Sequence, residues 1–409
     1  MPSFHRLRVA ARTELTSDSV ALHLLVPPDL RSVYRFREGQ FLTLQAQIDD
    51  EVLRRPYSIC TAVQDYEAGS VLRVGIRRIA EGRFSTWAKT VLKAGDSIEV
   101  MTPDGRFTPP IASHHEDLPS GESETRPGRH HLAFAGGSGI TPIMAILKTR
   151  LRAEPQSRFT LIYGNRHSQS VMFLEELEDL KNTFLERLHL IHILSEERTE
   201  VELHQGLLDP DKCRLLLSQL INPASIDVAY ICGPEPMMLA AEAALRSAGV
   251  DPRRILIERF SAAPQAAPTA PRSVQAGFTN AGRARMESGL AWASESGSPP
   301  GSGAGSVSEP ASEPGSASTV RITIDGKERS VVVDAQGTTI LQAGLLAGMP
   351  LPYACQAGVC CTCRARVTQG EVRMDRNFSL EESELEQGFV LTCQARPLSP
   401  GVSLSYDER

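Results

Sequence analysis

Cys355-Gln356-Ala357-Gly358-Val359-Cys360-Cys361-Thr362-Cys363 places four thiols within nine residues, and a fifth, Cys393, follows after 29 more. Thiolates at 355, 360 and 363 can wrap a bent loop around a small metal core, and a distant fourth can close the cage. Cys361 adjoins Cys360, and consecutive side chains point in different directions, so it reads as a packed or weakly exposed thiol. Zinc usually takes two separated Cys-x2-Cys pairs or a Cys/His mixture. Here only one such pair exists and Cys393 has no near companion, which argues against zinc.

The order Cys-x4-Cys-x2-Cys followed by a remote Cys is the plant-type 2Fe-2S spacing. It makes Cys355, Cys360, Cys363 and Cys393 the candidate iron ligands. Ala357, Gly358 and Thr362 are small enough to let backbone N–H groups approach the sulfurs and stabilise the more negative, reduced cluster. Before this loop, Val320 to Val333 reads as a hairpin and Thr339 to Ala347 as a short helix. Residues 320–409 therefore read as a small α+β domain.

Working outward, residues 261–319 are rich in Ala, Ser, Gly and Pro and poor in large apolar side chains. Such a stretch cannot offset the entropy of folding alone and reads as a disordered linker. As a flexible coil it has an end-to-end distance of roughly 40 Å. Within it, the segment 281–292 could form a transient helix or docking element.

Residues 130–260 alternate strands with helices. Leu132–Ala135, Phe159–Tyr163, Leu188–Leu194, Val228–Cys232 and Ile255–Glu258 are continuous apolar runs, as in a parallel sheet buried on both faces. Thr141 and Pro142 read as the cap and first-turn proline of a helix carrying Ile143, Met144, Leu147 and Leu151. Residues 113–129 have no periodicity and read as a surface insertion. Residues 1–112 hold short strands separated by Gly39, Gly69, Gly95 and Gly105, the pattern of a small antiparallel barrel.

The chain has 409 residues, 43 basic and 49 acidic, for a net charge of −6, with no basic stripe of the kind nucleic acid requires. The first residues lack the apolar core of a signal peptide, and no run nears the ~18 apolar residues of a membrane span. A cytoplasmic location follows as the expectation, and there thiols stay reduced. The ten histidines are scattered without paired-ligand spacing and read as solvated or satisfied in cores.

Two further sets of residues carry chemistry. Arg55-Pro56-Tyr57-Ser58 ends a barrel strand, and Gly82-Arg83-Phe84-Ser85 follows about 25 residues later. An aromatic ring can stack on an isoalloxazine, a hydroxyl can meet its N5 edge, and an Arg with a Gly-to-Ser turn can hold a diphosphate. Each piece alone also fits an ordinary strand or turn. Gly136-Gly137-Ser138-Gly139-Ile140-Thr141-Pro142 lies between a buried strand and a helix, where backbone amides can cradle a pyrophosphate. It lacks the usual Gly spacing, and a plain strand-to-helix turn remains open. Cys232-Gly233-Pro234 ends a later strand at the same edge of the sheet, where such sheets bind ligands.

Taken in order, Arg55-Pro-Tyr-Ser, Gly82-Arg-Phe-Ser, Gly136-Gly-Ser-Gly-Ile-Thr-Pro and Cys232-Gly-Pro-Glu-Pro-Met resemble the ferredoxin-NADP reductase superfamily. With the cysteine loop added, the chain resembles reductase components of bacterial oxygenases. The resemblance implies a flavin barrel, a nicotinamide domain and a C-terminal β-grasp ferredoxin domain. It implies FAD at Arg55, Tyr57, Ser58 and Gly82 to Ser85, with Tyr57, Ser58 and Cys232 at the reacting centre. Gly137, Ser138, Gly139, Ile140, Thr141, Cys232 and Gly233 would receive NADPH or NADH, and Arg166, Ser195 and Arg198 a 2′-phosphate. It further implies hydride transfer to FAD, single electrons to the 2Fe-2S cluster, and delivery to a di-iron or other oxygenase component. An electron-transfer subunit of a dehydrogenase complex, whose fourth cysteine would follow sooner, and a stand-alone ferric or quinone reductase are the competing readings.

Overall fold

A computed structural model describes residues 3–110, 128–260, 272–275, 317–334 and 337–408. The described residues of Met1–Ala267 and Pro352–Cys363 form one compact unit, and those of Pro268–Leu351 and Arg364–Arg409 a second. Most of the 113–129 stretch, the segment 281–292 and nearly all of the 261–319 stretch lie outside the described residues. No helix among the described residues is long and apolar enough to cross a membrane.

The first unit begins with β1 (Phe4–Thr16), β2 (Ser19–Leu25), β3 (Phe41–Ile48), β4 (Glu51–Ser58), β5 (Val71–Arg77) and β6 (Ser97–Met101). In β1, buried Leu7 and Val9 alternate with exposed Arg6 and Arg8, the two-residue period of a strand with one face on a core. The strands pair antiparallel in the order β4-β3-β6-β1-β2-β5, and an Ile59–Val74 bridge joins the end of β4 to β5, closing the expected barrel. Helices α1 (Val63–Gly69) and α2 (Arg83–Thr90) flank β5. Neither was expected from the sequence, because two-turn helices are too short for an apolar period to register.

The same unit continues with β7 (His130–Gly136), α3 (Ile140–Ala153), β8 (Arg158–Asn165), α4 (Leu174–Thr183), β9 (Leu188–Leu194), α5 (Pro210–Leu220), β10 (Val228–Cys232), α6 (Glu235–Ser247) and β11 (Ile255–Glu258). The five strands are parallel, in the order β11-β10-β7-β8-β9, and every residue of β7 is buried, as its unbroken run requires. His131 fits the core-satisfied reading: its ring nitrogens meet Tyr230 Oη at 3.2 Å and Glu154 Oε2 at 3.0 Å.

Thr141 departs from its expected role and does not cap α3. The helix follows a short turn at Gly137–Gly139, with Gly139 at the cap, and the Thr141 hydroxyl donates back to the Ser138 carbonyl.

Helix α3 packs between sheet and barrel. Lys148 donates to Glu176, which also pairs with barrel residue Arg73; Arg150 pairs with buried Glu38, and Arg152 with Asp65. Apolar residues of both parts share one core, with Ala21, Cys60 and Phe107 against Ile143, Met144 and Leu147. These contacts hold the loop before α3 at a fixed place beside the barrel.

The second unit contains β12 (Arg272–Gln275), β13 (Ala317–Ile324), β14 (Lys327–Asp334), α7 (Ile340–Leu346), β15 (Arg364–Gln369), β16 (Glu371–Met374), α8 (Glu382–Glu386), β17 (Phe389–Leu391), β18 (Ala395–Pro397) and β19 (Gly401–Ser405). A mixed sheet runs β14-β13-β19-β15-β17 and a smaller one β12-β16-β18. The expected hairpin and helix are present, and Thr339 caps α7 in a reciprocal pair with Gln342. Strand β12 falls inside the stretch read as a linker: Val274 is buried opposite Val372, so these four residues are an ordered edge strand. One apolar residue in a polar stretch offers no strand period to read.

Candidate active site and cluster loop

A cleft of about 420 Å³ opens between the barrel and the parallel sheet, lined by Arg55, Tyr57, Ser58 and Ser85 on one side and Gly136, Gly137, Ser138, Thr141 and Gly233 on the other. Strand β4 presents this edge: Tyr57 lies with its ring centroid 5.8 Å from that of Phe84, and Ser58 is buried at the strand end. The two sequence motifs read for a flavin and the two read for a nicotinamide thus meet in one place. Gly75, Arg77, Ile79 and Phe260 also line the cleft. Nothing local in the sequence singles them out.

Ser58 Oγ donates to Glu258 Oε2 at 3.3 Å. Glu258 ends β11, and burial pushes its carboxyl up to about 8, despite the Ser58 hydrogen bond that lowers it. Sequence reasoning missed this residue; its only local signal was an acidic group closing the apolar run Ile255-Leu-Ile. Cys232 is fully buried and does not line the cleft; burial, then Glu258, raises its thiol well above the ordinary value, so it stays protonated.

A second cavity, about 380 Å³, adjoins Arg55 and Tyr57 and is bounded by Gly82, Arg83, Phe84 and Ser85 at the start of α2. There the unpaired N–H groups of the helix start suit a diphosphate. Ser85 Oγ donates to the Gly82 carbonyl at 3.1 Å and fixes the turn. Arg83 pairs with Glu51 at 2.6 Å and Asp49 at 3.1 Å, while Phe84 is mostly in the barrel core.

A third cavity, about 510 Å³, continues along the carboxyl ends of the parallel strands and is lined by Gly137, Asn165, Arg166, Ser195, Leu207 and Asp209 among others. The Asn165 side-chain amide is buried there with no hydrogen-bond partner of standard geometry, as expected of a group awaiting a polar ligand. Arg198 is exposed and is not among the lining residues. Gly139 and Ile140 are buried and line neither cleft. Gly139 serves by close approach: a Cβ there would stand 2.1 Å from the Cys232 carbonyl oxygen, so only glycine lets the two loops cross.

In the first unit the segment 352–363 lies against the barrel, with Arg54 over the Tyr353 ring at 4.3 Å and Thr362 Oγ1 donating to Asp104 at 3.4 Å. Gln356, Gly358 and Cys361 have φ of 54°, 78° and 58°. These left-handed turns coil the loop so that its N–H groups face inward. Ala357 N donates to Cys355 Sγ at 3.3 Å. The hydrogen bond with Cys360, then the backbone N–H groups of Ala357, Val359 and Cys360, hold the Cys355 thiol below its ordinary value against burial. Cys363 and Cys393 are buried, and Gln394 Nε2 donates toward Cys393 Sγ at 3.7 Å. No group of three or more His, Cys, Asp or Glu among the described residues surrounds a single ion. A 2Fe-2S core asks only two thiolates of each iron, so a group of three or more around one ion is not what the cysteine spacing calls for.

A barrel and a parallel sheet sharing one cleft, joined to a domain with a ferredoxin cysteine pattern, define an iron–sulfur flavoprotein oxidoreductase. Models of three domain families match in the same order: the oxidoreductase FAD-binding domain over residues 6–108, the oxidoreductase NAD-binding domain over 134–243 and the 2Fe-2S iron-sulfur cluster binding domain over 322–398. The chain is 39% identical to one subunit of the 1,2-phenylacetyl-CoA epoxidase of Escherichia coli (strain K12), covering 100% of this chain and 99% of that one. It is 32% identical to the 3-ketosteroid-9-alpha-monooxygenase, ferredoxin reductase component, of Mycolicibacterium smegmatis, covering 98% and 97%. Phthalate dioxygenase reductase has the same fold, with a TM-score of 0.55 at 20% identity over 98% of each chain.

The chain belongs to the family of FAD- and 2Fe-2S-dependent reductase components of oxygenases, and it draws its electrons from a pyridine nucleotide.

Proposed function

We propose that this chain is the NADPH-preferring reductase of a phenylacetyl-CoA epoxidase type of oxygenase. The end-to-end likeness to the Escherichia coli epoxidase component, cysteine loop included, carries the reading. Bound at this cleft, FAD would supply the conversion between two-electron nicotinamide chemistry and one-electron cluster chemistry.

The chain's own residues supply position and proton control. Tyr57 covers one side of the cleft, and Ser58 presents its hydroxyl where Glu258 can exchange a proton with it. Gly82 to Ser85 and the start of α2 take the flavin diphosphate, with Arg55 beside them. Gly137, Ser138, Thr141 and Gly233 position the nicotinamide, and Arg166 and Ser195 receive its 2′-phosphate. Cys355, Cys360, Cys363 and Cys393 hold the cluster. Domain limits of 1–112, 130–260 and 320–409 fit the three family matches, with β13 starting at Ala317. A reducing, cytoplasmic setting suits the thiols of Cys60, Cys213, Cys232 and Cys361, the four outside the ligand set.

Mixing the purified protein with the epoxidase oxygenase subunits, NADPH and phenylacetyl-CoA tests this. Epoxide formation that depends on the chain is expected. NADPH oxidation with small acceptors but none coupled to the oxygenase would contradict the reading.

A further inference from the structure

Between the barrel and the parallel sheet, the carboxylate of Asp18 links two arginines of the nucleotide cavity. It stands in the short turn between β1 and β2, where its Oδ1 accepts from Thr16 Oγ1 at 2.6 Å and from Arg77 Nε at 3.2 Å. Its Oδ2 is 3.9 Å from Arg166 Nη2. Arg77 lines both the flavin cleft and the nucleotide cavity, and donates to the Ser170 carbonyl at 2.6 Å. Arg166 follows β8 and is 60% exposed at the cavity rim, with Ser195 lining the same cavity.

The carboxylate that lines the cavity itself is spoken for. Asp209 caps α5 by accepting from Lys212 N at 2.8 Å. The wall therefore offers a ribose 2′-position an arginine and a serine, a pairing suited to a phosphate. Asp18 opposes that pairing. Although burial alone would raise its carboxyl, Thr16, Arg77 and Arg166 hold it below the ordinary range, so it is charged near neutral pH. A full negative charge then lies next to the cation that would meet an incoming dianion.

We propose that Asp18 sets nucleotide choice: by pairing with Arg166 it weakens selection for the 2′-phosphate and keeps the site open to both NADPH and NADH. This rests on the reading that Arg166 and Ser195 receive the 2′-end of the nucleotide. Because Asp18 also orients Arg77, which both nucleotides would meet alike, removing its charge changes two things at once. A ratio between ligands with and without the 2′-phosphate cancels the shared part.

The test is calorimetric titration of the flavin- and cluster-loaded protein with 2′,5′-ADP and with 5′-AMP, for wild type, Asp18→Asn and Arg166→Gln. Removing one screened unit charge about 4 Å from the cation should raise the 2′,5′-ADP to 5′-AMP affinity ratio about fivefold in Asp18→Asn. The NADPH to NADH ratio of kcat/KM should rise with it. Arg166→Gln should lose most of the discrimination. A ratio in Asp18→Asn that is unchanged or lower, while Arg166→Gln loses discrimination, overturns the role of Asp18 and leaves the Arg166 reading standing. Discrimination that survives Arg166→Gln overturns both. Should Asp18→Asn lose its flavin, Asp18→Ser removes the same charge and is read against the same outcomes.

Discussion

Ser58 Oγ, at the end of barrel strand β4, donates to Glu258 Oε2, at the end of β11 in the parallel sheet, 3.3 Å away and 200 positions along the chain. The bond joins the flavin side of the cleft to the nicotinamide side. Glu258 brings a pH dependence, because burial raises its carboxyl to about 8 against the opposing pull of the Ser58 hydrogen bond.

The sign follows from linkage. An acid with a folded pKa near 8 and an ordinary unfolded value of 4.5 binds more protons folded than unfolded between those limits. Stability therefore falls as pH rises through that window, by at most about 1.4 kcal/mol per pH unit for one group. Glu258→Gln should flatten that part of the pH profile of thermal unfolding, and a profile parallel to wild type from pH 5 to 8 would refute the assignment.

Ser58→Ala should lower kcat with NADPH by about 100-fold, the low end of the range for a positioned proton-transfer group, with KM little changed. Steady-state kinetics with ferricyanide as acceptor isolates this step from the cluster. An unchanged kcat would remove Ser58 from the reacting centre.

Cys355→Ser should abolish the 2Fe-2S absorbance and electron paramagnetic resonance signals while leaving NADPH-ferricyanide turnover within about twofold, because the flavin site does not use that thiol. Cys361→Ser should keep the cluster. Cys361 adjoins Cys360, and the side chains of consecutive residues point in different directions, so the two are not expected to bind together. Iron and sulfide analysis of both variants checks the pair, and loss of the cluster in Cys361→Ser would shift the ligand register.

Glu38 is buried and pairs with Arg150 of α3. Glu38→Gln should destabilise the first unit by about 3 kcal/mol, the low end for a broken buried pair, since Arg150 keeps Glu154 at 3.0 Å. Chemical denaturation followed by flavin fluorescence measures it; a change below about 0.5 kcal/mol, the scale of an exposed pair, would mean the pair adds nothing to the joint between barrel and sheet.

What the sequence could tell follows from which signals are local. The cysteine spacing, the Gly136–Thr141 loop and the apolar strand runs are contiguous, and the barrel, the parallel sheet and the cleft motifs were legible from them. Glu258 and Asp18 were not, because each acts through a partner brought close only by the fold. Helices α1 and α2 are too short to show a period, and Phe260 is a single aromatic residue with no motif around it. Ile140 reads as part of a binding loop by position, yet its side chain points into the core.

This chain carries electrons from a pyridine nucleotide through FAD to a 2Fe-2S cluster. Anaerobic addition of NADPH to the purified protein, followed by visible absorbance and electron paramagnetic resonance, tests it most directly. Loss of both the flavin and the iron–sulfur bands is expected, with the signal of a reduced 2Fe-2S cluster. Reduction of the flavin with the cluster left oxidised, or a protein holding no such cluster, would contradict it.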